Sequence, residues 1–133
     1  MTVRVVRDQT GKMRHEIRVG RITIAADESV EAGGEGSGLS PHDLYDAALG
    51  ACKALTVLWY AKRKGIAVEG IEVSVERDAS QEREGLYRLS TTLALTGGLD
   101  AAQREELLQV AQKCPVHKLM TKVTTEISTA LLP

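Results

Sequence analysis

From Pro41 to Lys64 the chain reads as one uninterrupted helix, and no other feature limits the fold as strongly. Ser40 offers a capping hydroxyl, Pro41 occupies the first helical position, where a missing N–H costs nothing, and Asp43 faces the positive helix end. At the other end Lys62, Arg63 and Lys64 complement the negative pole, with a solvated surface role otherwise, and Gly65 supplies a carboxy-terminal cap. About 24 residues at a rise of roughly 1.5 Å make a helix of about 36 Å, long for so short a chain. Between Leu44 and Ala61 only Asp46 and Lys53 carry charge, so the helix is apolar around most of its circumference. Such a helix has to be surrounded, either as the centre of the fold or with the help of a second subunit. One thin sheet covers too little of it, which predicts a homodimer.

The flanking segments alternate as strands do. Val3 and Val5, Ile17 and Val19, and Ile22 and Ile24, punctuated by Gly11 and Gly20, predict a three-stranded antiparallel meander. Residues 31–41 hold four glycines and match no phosphate-binding glycine motif, so they are expected to form a flexible crossing loop. After the helix, Ile71 to Glu76 and Tyr87 to Thr96 alternate around the polar stretch from Arg77 to Gly85 and predict a hairpin with a long charged tip. Asp100 and Gln103 cap a second helix carrying Leu107, Val110, Ala111 and Cys114 on one face. Pro115 ends that helix or opens a further turn, of which Cys114 would be the cap, and Val123 to Leu131 alternates again as a final strand. The resulting order, βββ-α-ββ-α-β, is that of an α+β fold, expected to form a single domain over residues 1–133.

Composition narrows the function. With 43% hydrophobic and 26% charged residues, the chain is neither disordered nor of low complexity. Seventeen basic residues against eighteen acidic ones give a formal net charge of −1, and aromatics are only 3%. That argues against nucleic acid as a partner, since neither a cationic face nor a stacking platform is on offer. No apolar run is long enough to span a bilayer, and the charged amino terminus lacks a secretion core, so no membrane partner and a cytoplasmic location are expected.

Cys52 and Cys114 stand far apart in sequence, and neither belongs to a Cys-x-x-Cys motif. In a reducing compartment each is either an inert buried residue or a working thiol. Both are placed to point into the interior of one small fold. His42, His15 and His117 do not complete a four-ligand spacing with them, so no metal site is expected. The preferred place for His15 is a strand face turned to solvent.

The motif Ser-Pro-x-Asp-Leu-Tyr-x-Ala-Ala-Leu-Gly-Ala-Cys from Ser40 to Cys52, the following Tyr60-Ala-x-x-Lys-Gly65, and Cys114-Pro-Val-His117 resemble the OsmC/Ohr family of osmotically induced and organic-hydroperoxide-resistance proteins, most closely its OsmC-like subgroup. The resemblance extends to element order over nearly the whole chain. It implies an intertwined α+β homodimer with thiol-dependent peroxidase activity and no cofactor. Cys52 would be the thiol that attacks an organic hydroperoxide, Cys114 the thiol that resolves it, and a dithiol reductant the third partner. Attack on the O–O bond needs a thiolate, so a thiol of ordinary pKa about 8.5 has to be lowered by a cation or a helix terminus. Cys52 is mid-helix, and Ala48, Leu49, Leu55 and Thr56 around it are uncharged, so the cation has to come from elsewhere in the fold. The family's hydroperoxide reductases use an arginine from the amino-terminal sheet and a glutamate in the first turn of the long helix. Here His42 and Asp43 stand in that turn, and the basic candidates are Lys12, Arg14, Arg18 and Arg21, with Arg14 or Arg18 preferred. Asp43 reads equally as a helix cap, and each arginine as a solvated strand residue. The missing glutamate leaves an alternative open, a stress-associated binding module on the same fold with little turnover.

Overall fold

The computed structural model describes residues 1–133, which divide into two compact units, residues 1–47 and 48–133. In the first, β1 (Arg4–Arg7), β2 (His15–Val19) and β3 (Ile22–Ala26) form an antiparallel meander in the order β1-β2-β3. Val5 pairs with Ile17 and Ile17 with Ile24, so the alternating residues that marked these strands lie side by side on one face.

The glycine-rich stretch after β3 is a folded loop, not the flexible crossing expected. Asp27, buried at the end of β3, accepts four hydrogen bonds: from the Glu28 N–H (2.8 Å) on one oxygen and from the Glu35 N–H (3.2 Å), Ser37 N–H (3.0 Å) and Ser37 hydroxyl (2.7 Å) on the other. These bonds favour the charged form and hold the Asp27 carboxyl down at about 2, with the Ser37 hydroxyl the largest contributor. The loop then returns along β3 through the Asp27 N–H to Leu39 and the Leu39 N–H to Ala25.

Helix α1 (Pro41–Lys64) has the expected bounds. Its start is a reciprocal cap, in which the Asp43 N–H donates to the Ser40 hydroxyl and the Ser40 N–H to the Asp43 carboxylate, both at 3.1 Å. Its end is a Schellman motif. Gly65 takes φ +69° and its N–H bonds Lys62, while the Ile66 N–H bonds Ala61.

The second unit contains the rest of α1, β4 (Gly70–Asp78) paired antiparallel with β5 (Arg88–Thr96), α2 (Ala101–Gln112) and α3 (Pro115–Thr121). The first hairpin strand runs further at both ends than the sequence pattern suggested, and the second starts one residue later, at Arg88. The tip is displaced to residues 79–87, closed by one 3-10 turn (Glu82–Glu84) and by hydrogen bonds from Ser80 to Asp78. Where α1 crosses β4 a side chain would obstruct, since a Cβ on Gly50 would lie 3.0 Å from a Val75 methyl. The core is aliphatic: Val57 and Ala61 of α1 against Leu107 and Ala111 of α2, with Ile71, Leu93 and Leu95 of the hairpin packed on them. Tyr60 docks the two helices through a hydrogen bond from its hydroxyl to Glu106. The Asp100–Gln103 capping box opens α2 as expected.

One element is corrected. The final strand from Val123 to Leu131 does not form: residues 124–133 carry no regular structure, and Val123, Ile127, Leu131 and Leu132 are exposed. A strand needs a neighbour for its backbone groups, and within the chain this segment has none. In place of a continued second helix, Pro115 opens α3, with Cys114 as its N-cap residue. The fold class is α+β, with α1 as its longest element.

Candidate functional site

Cys52, midway along α1, is brought to the start of α3, where the Val116 N–H points at its Sγ from 3.4 Å. The Thr56 hydroxyl, one turn along α1, lies 3.9 Å from the same sulfur. Pro115 has no N–H, so Val116 is the first residue of α3 able to donate an orphan amide to a group outside the helix. A backbone N–H directed at sulfur interacts more strongly with a thiolate than with a thiol, because bonds to a charged acceptor are the stronger kind.

Cys114 is fully buried. Burial pushes its thiol up, and the neighbouring Cys52 side chain adds to the rise through a hydrogen bond and charge repulsion; the His117 backbone amide and the Lys53 ammonium oppose it. Half-buried Cys52 is thus a neighbour of the buried Cys114, and neither is in a disulfide.

The cation here is one that sequence reasoning missed. Lys53 is only 3% exposed, and its Nζ donates to the Ala111 carbonyl at 2.8 Å and lies 3.1 Å from His117 Nδ1. The Ala111 carbonyl belongs to the last turn of α2, where carbonyls lack helical partners and the helix pole is negative, so the ammonium is doubly accommodated. The signal was present as the lone cation in an otherwise uncharged stretch of helix. Its partners stand 58 and 64 residues away and could not be read from local spacing.

The other expected site residues lie in the first unit. Arg14 forms an ion pair with Asp8 (3.3 Å) and donates to the Ser37 carbonyl (2.8 Å), tying the β1–β2 connection to the glycine-rich loop. Arg18 is paired along its own strand with Glu16 at 2.6 Å. Asp43 caps α1 with Ser40. His15 is tied through Nδ1 to the Met13 carbonyl at 2.7 Å. A cavity of about 290 Å³ opens in this unit, lined largely by carbon from Val5, Met13, Ala26 and Pro41. No three His, Cys, Asp or Glu side chains are gathered as a metal ion requires. No helix is long and apolar enough to cross a membrane.

The sequence model of the OsmC-like protein family matches residues 34–129, a span that contains both cysteines, Lys53 and His117. The chain belongs to the OsmC-like family. Solved structures agree with this membership at the level of the fold. An OsmC-like protein from Mycoplasma pneumoniae is 16% identical and superposes with a TM-score of 0.72, covering 92% of this chain and 87% of that one. The organic hydroperoxide resistance protein OhrB of Bacillus subtilis is 25% identical, with a TM-score of 0.61 over 92% of each chain. An organic hydroperoxide resistance protein OsmC from Legionella pneumophila is 22% identical, with a TM-score of 0.63 over 92% of this chain and 90% of that one. No curated protein matches the sequence. The OsmC-like family thus includes proteins of organic hydroperoxide resistance, and this chain carries the family's fold with Cys52 and Cys114 as neighbours.

Proposed function

We propose that this OsmC-like protein is a thiol-dependent peroxidase for organic hydroperoxides. The observation that carries the reading is the meeting of Cys52 and Cys114, with an amide of α3 aimed at the first sulfur and the second sulfur buried beside it. The Cys52 thiolate attacks the outer peroxide oxygen, the O–O bond breaks, and the alkoxide leaves with a proton as an alcohol. The Cys52 sulfenic acid then condenses with Cys114, releasing water and forming a disulfide that a dithiol reductant reopens. The aliphatic surroundings of the pair favour alkyl peroxides over hydrogen peroxide. Roles for Arg14, Arg18 and Asp43 come from the family resemblance and are part of the proposal, as is a cytoplasmic location.

A homodimer belongs to the same reading. Leu55 and Trp59, one turn apart on α1, are 67% and 61% exposed, and Leu58 adjoins them. An apolar stripe of this kind on a central helix calls for cover, and a second copy with the same stripe supplies it.

The test is consumption of cumene hydroperoxide with a dithiol reductant present. Wild-type protein should turn over, Cys52→Ser should not, and Arg14→Ala, Arg18→Ala and Asp43→Asn should slow turnover if those roles hold. Absence of turnover in wild-type protein rejects the reading.

A second reading is a binding module with slight turnover. It is favoured by the carbon-lined cavity of the first unit and by the engagement of Asp43 in capping. A small apolar ligand that raises the melting temperature, in a protein inert to peroxide, would select it.

A further inference from the structure

We propose that Lys53, oriented by His117, is the positioning cation of the resolving thiol Cys114, so that the two thiols of the pair are served by two separate devices. The inference rests on the peroxidase reading for its purpose but not for its test.

A lysine in an aliphatic core is costly unless every proton it carries is used. Lys53 is buried in the unit whose most buried side chains are Leu107, Val57 and Cys114, close enough to Cys114 for its charge to act on that thiol, and it is held from two sides, by the Ala111 carbonyl of α2 and by His117 of α3. An ammonium has donors only, so His117 Nδ1 is the acceptor and the imidazole proton sits on Nε2. His117 is the third residue of α3, and Cys114 is the residue that caps it. Three groups and burial itself therefore bear on Cys114: Cys52 and Lys53 from α1 and the His117 amide from α3, while α2 contributes the carbonyl that anchors Lys53. Of these, burial and Cys52 work against ionisation, and Lys53 and the His117 amide work for it. Cys52 is served differently, by the Val116 N–H.

The division matters because resolution needs its own thiolate. Cys114 loses its proton and attacks the sulfenic sulfur of Cys52; the S–S bond forms, the S–O bond breaks, and the departing hydroxide takes up a proton as water. The Cys114 sulfur is oxidised and the Cys52 sulfur reduced, with no further reactant. A buried thiol left to itself would be slow at this step.

The alternative is that Lys53 only caps α2. The two separate in a titration that needs no peroxide. In the Cys52→Ala background, thiolate absorbance near 240 nm is followed against pH, with the Cys52→Ala, Cys114→Ala protein as baseline. Lys53→Met is expected to raise the midpoint of Cys114 by about one pH unit or more, and Lys53→Arg to restore most of it. His117→Leu, which spares the ammonium and removes its orienting acceptor, should move the midpoint the same way by less and serves in place of Lys53→Met should that variant fail to fold. In otherwise wild-type protein, Lys53→Met should slow disulfide formation after one equivalent of cumene hydroperoxide about tenfold and let a sulfenic acid accumulate on Cys52, trappable with dimedone. A Cys114 midpoint that stays in place in Lys53→Met and His117→Leu, whatever the loss in melting temperature, overturns the proposal. A shifted midpoint without any sulfenic acid in wild-type or variant protein upholds the electrostatic role and counts against the peroxidase reading alone.

Discussion

The amide of Val116 reaches the sulfur of Cys52 at 3.4 Å, across 64 residues of sequence. That contact joins the middle of the long helix to the turn carrying Cys114, and it sets what each thiol can do. One sulfur receives an amide and borders a hydroxyl; the other is buried with a lysine nearby.

The two cysteines should fail differently. Cys52→Ser is expected to lower peroxide turnover by on the order of 10³-fold or more, since the nucleophile itself is gone. Cys114→Ser should still consume one equivalent of peroxide and then stop, with a sulfenic acid on Cys52. Stopped-flow consumption of cumene hydroperoxide, followed by mass spectrometry of the protein, reads both outcomes.

The core between α1 and α2 rests on few residues. Leu107 and Val57 are fully buried against each other's helices, so Leu107→Ala should cost about 2–5 kcal/mol through lost transfer energy and the cavity left behind. Urea unfolding measures it as a lower midpoint at unchanged slope. A loss under about 1 kcal/mol would mean that the helix pair is not the core of this unit.

Asp27 gives the first unit a defined acid response. Its carboxyl lies at about 2 in the folded loop against an ordinary 3.8, so the charged form is favoured by folding. The stabilisation is present above pH about 4 and is lost as pH falls toward 2. Amide hydrogen exchange of residues 28–37 should stay slow at pH 6 and rise across that window. Asp27→Asn should exchange quickly at every pH, because the amide offers one acceptor oxygen where the carboxylate uses two.

Much of this architecture was legible from local chemistry. The Ser40–Asp43 cap, the Gly65 terminus, the Asp100–Gln103 box and the meander all follow from residues within a few positions of one another. What depends on distant residues was not. Lys53 stood out as the one cation in the apolar middle of α1, yet its partners Ala111 and His117 come from other elements. Asp27 looked like any polar residue after a strand until four donors converged on it. The alternation from Val123 to Leu131 has the pattern of a strand, but pattern alone supplies no neighbour to pair with.

The exposed stripe on α1 predicts self-association. Sedimentation of wild-type protein at micromolar concentration should give a dimer, and replacing Leu55 and Trp59 together by Asp should give a folded monomer with unchanged far-UV circular dichroism. A wild-type monomer would remove the dimer from the account.

The most direct test of the central claim is a thiol count made with no reductant present. Reduced wild-type protein receives a small excess of cumene hydroperoxide at neutral pH, and free thiols and cross-linked peptides are measured. The account predicts that both thiols disappear together, that a Cys52–Cys114 disulfide is recovered on digestion, and that a dithiol restores both. Survival of both thiols under a large excess of peroxide would contradict it.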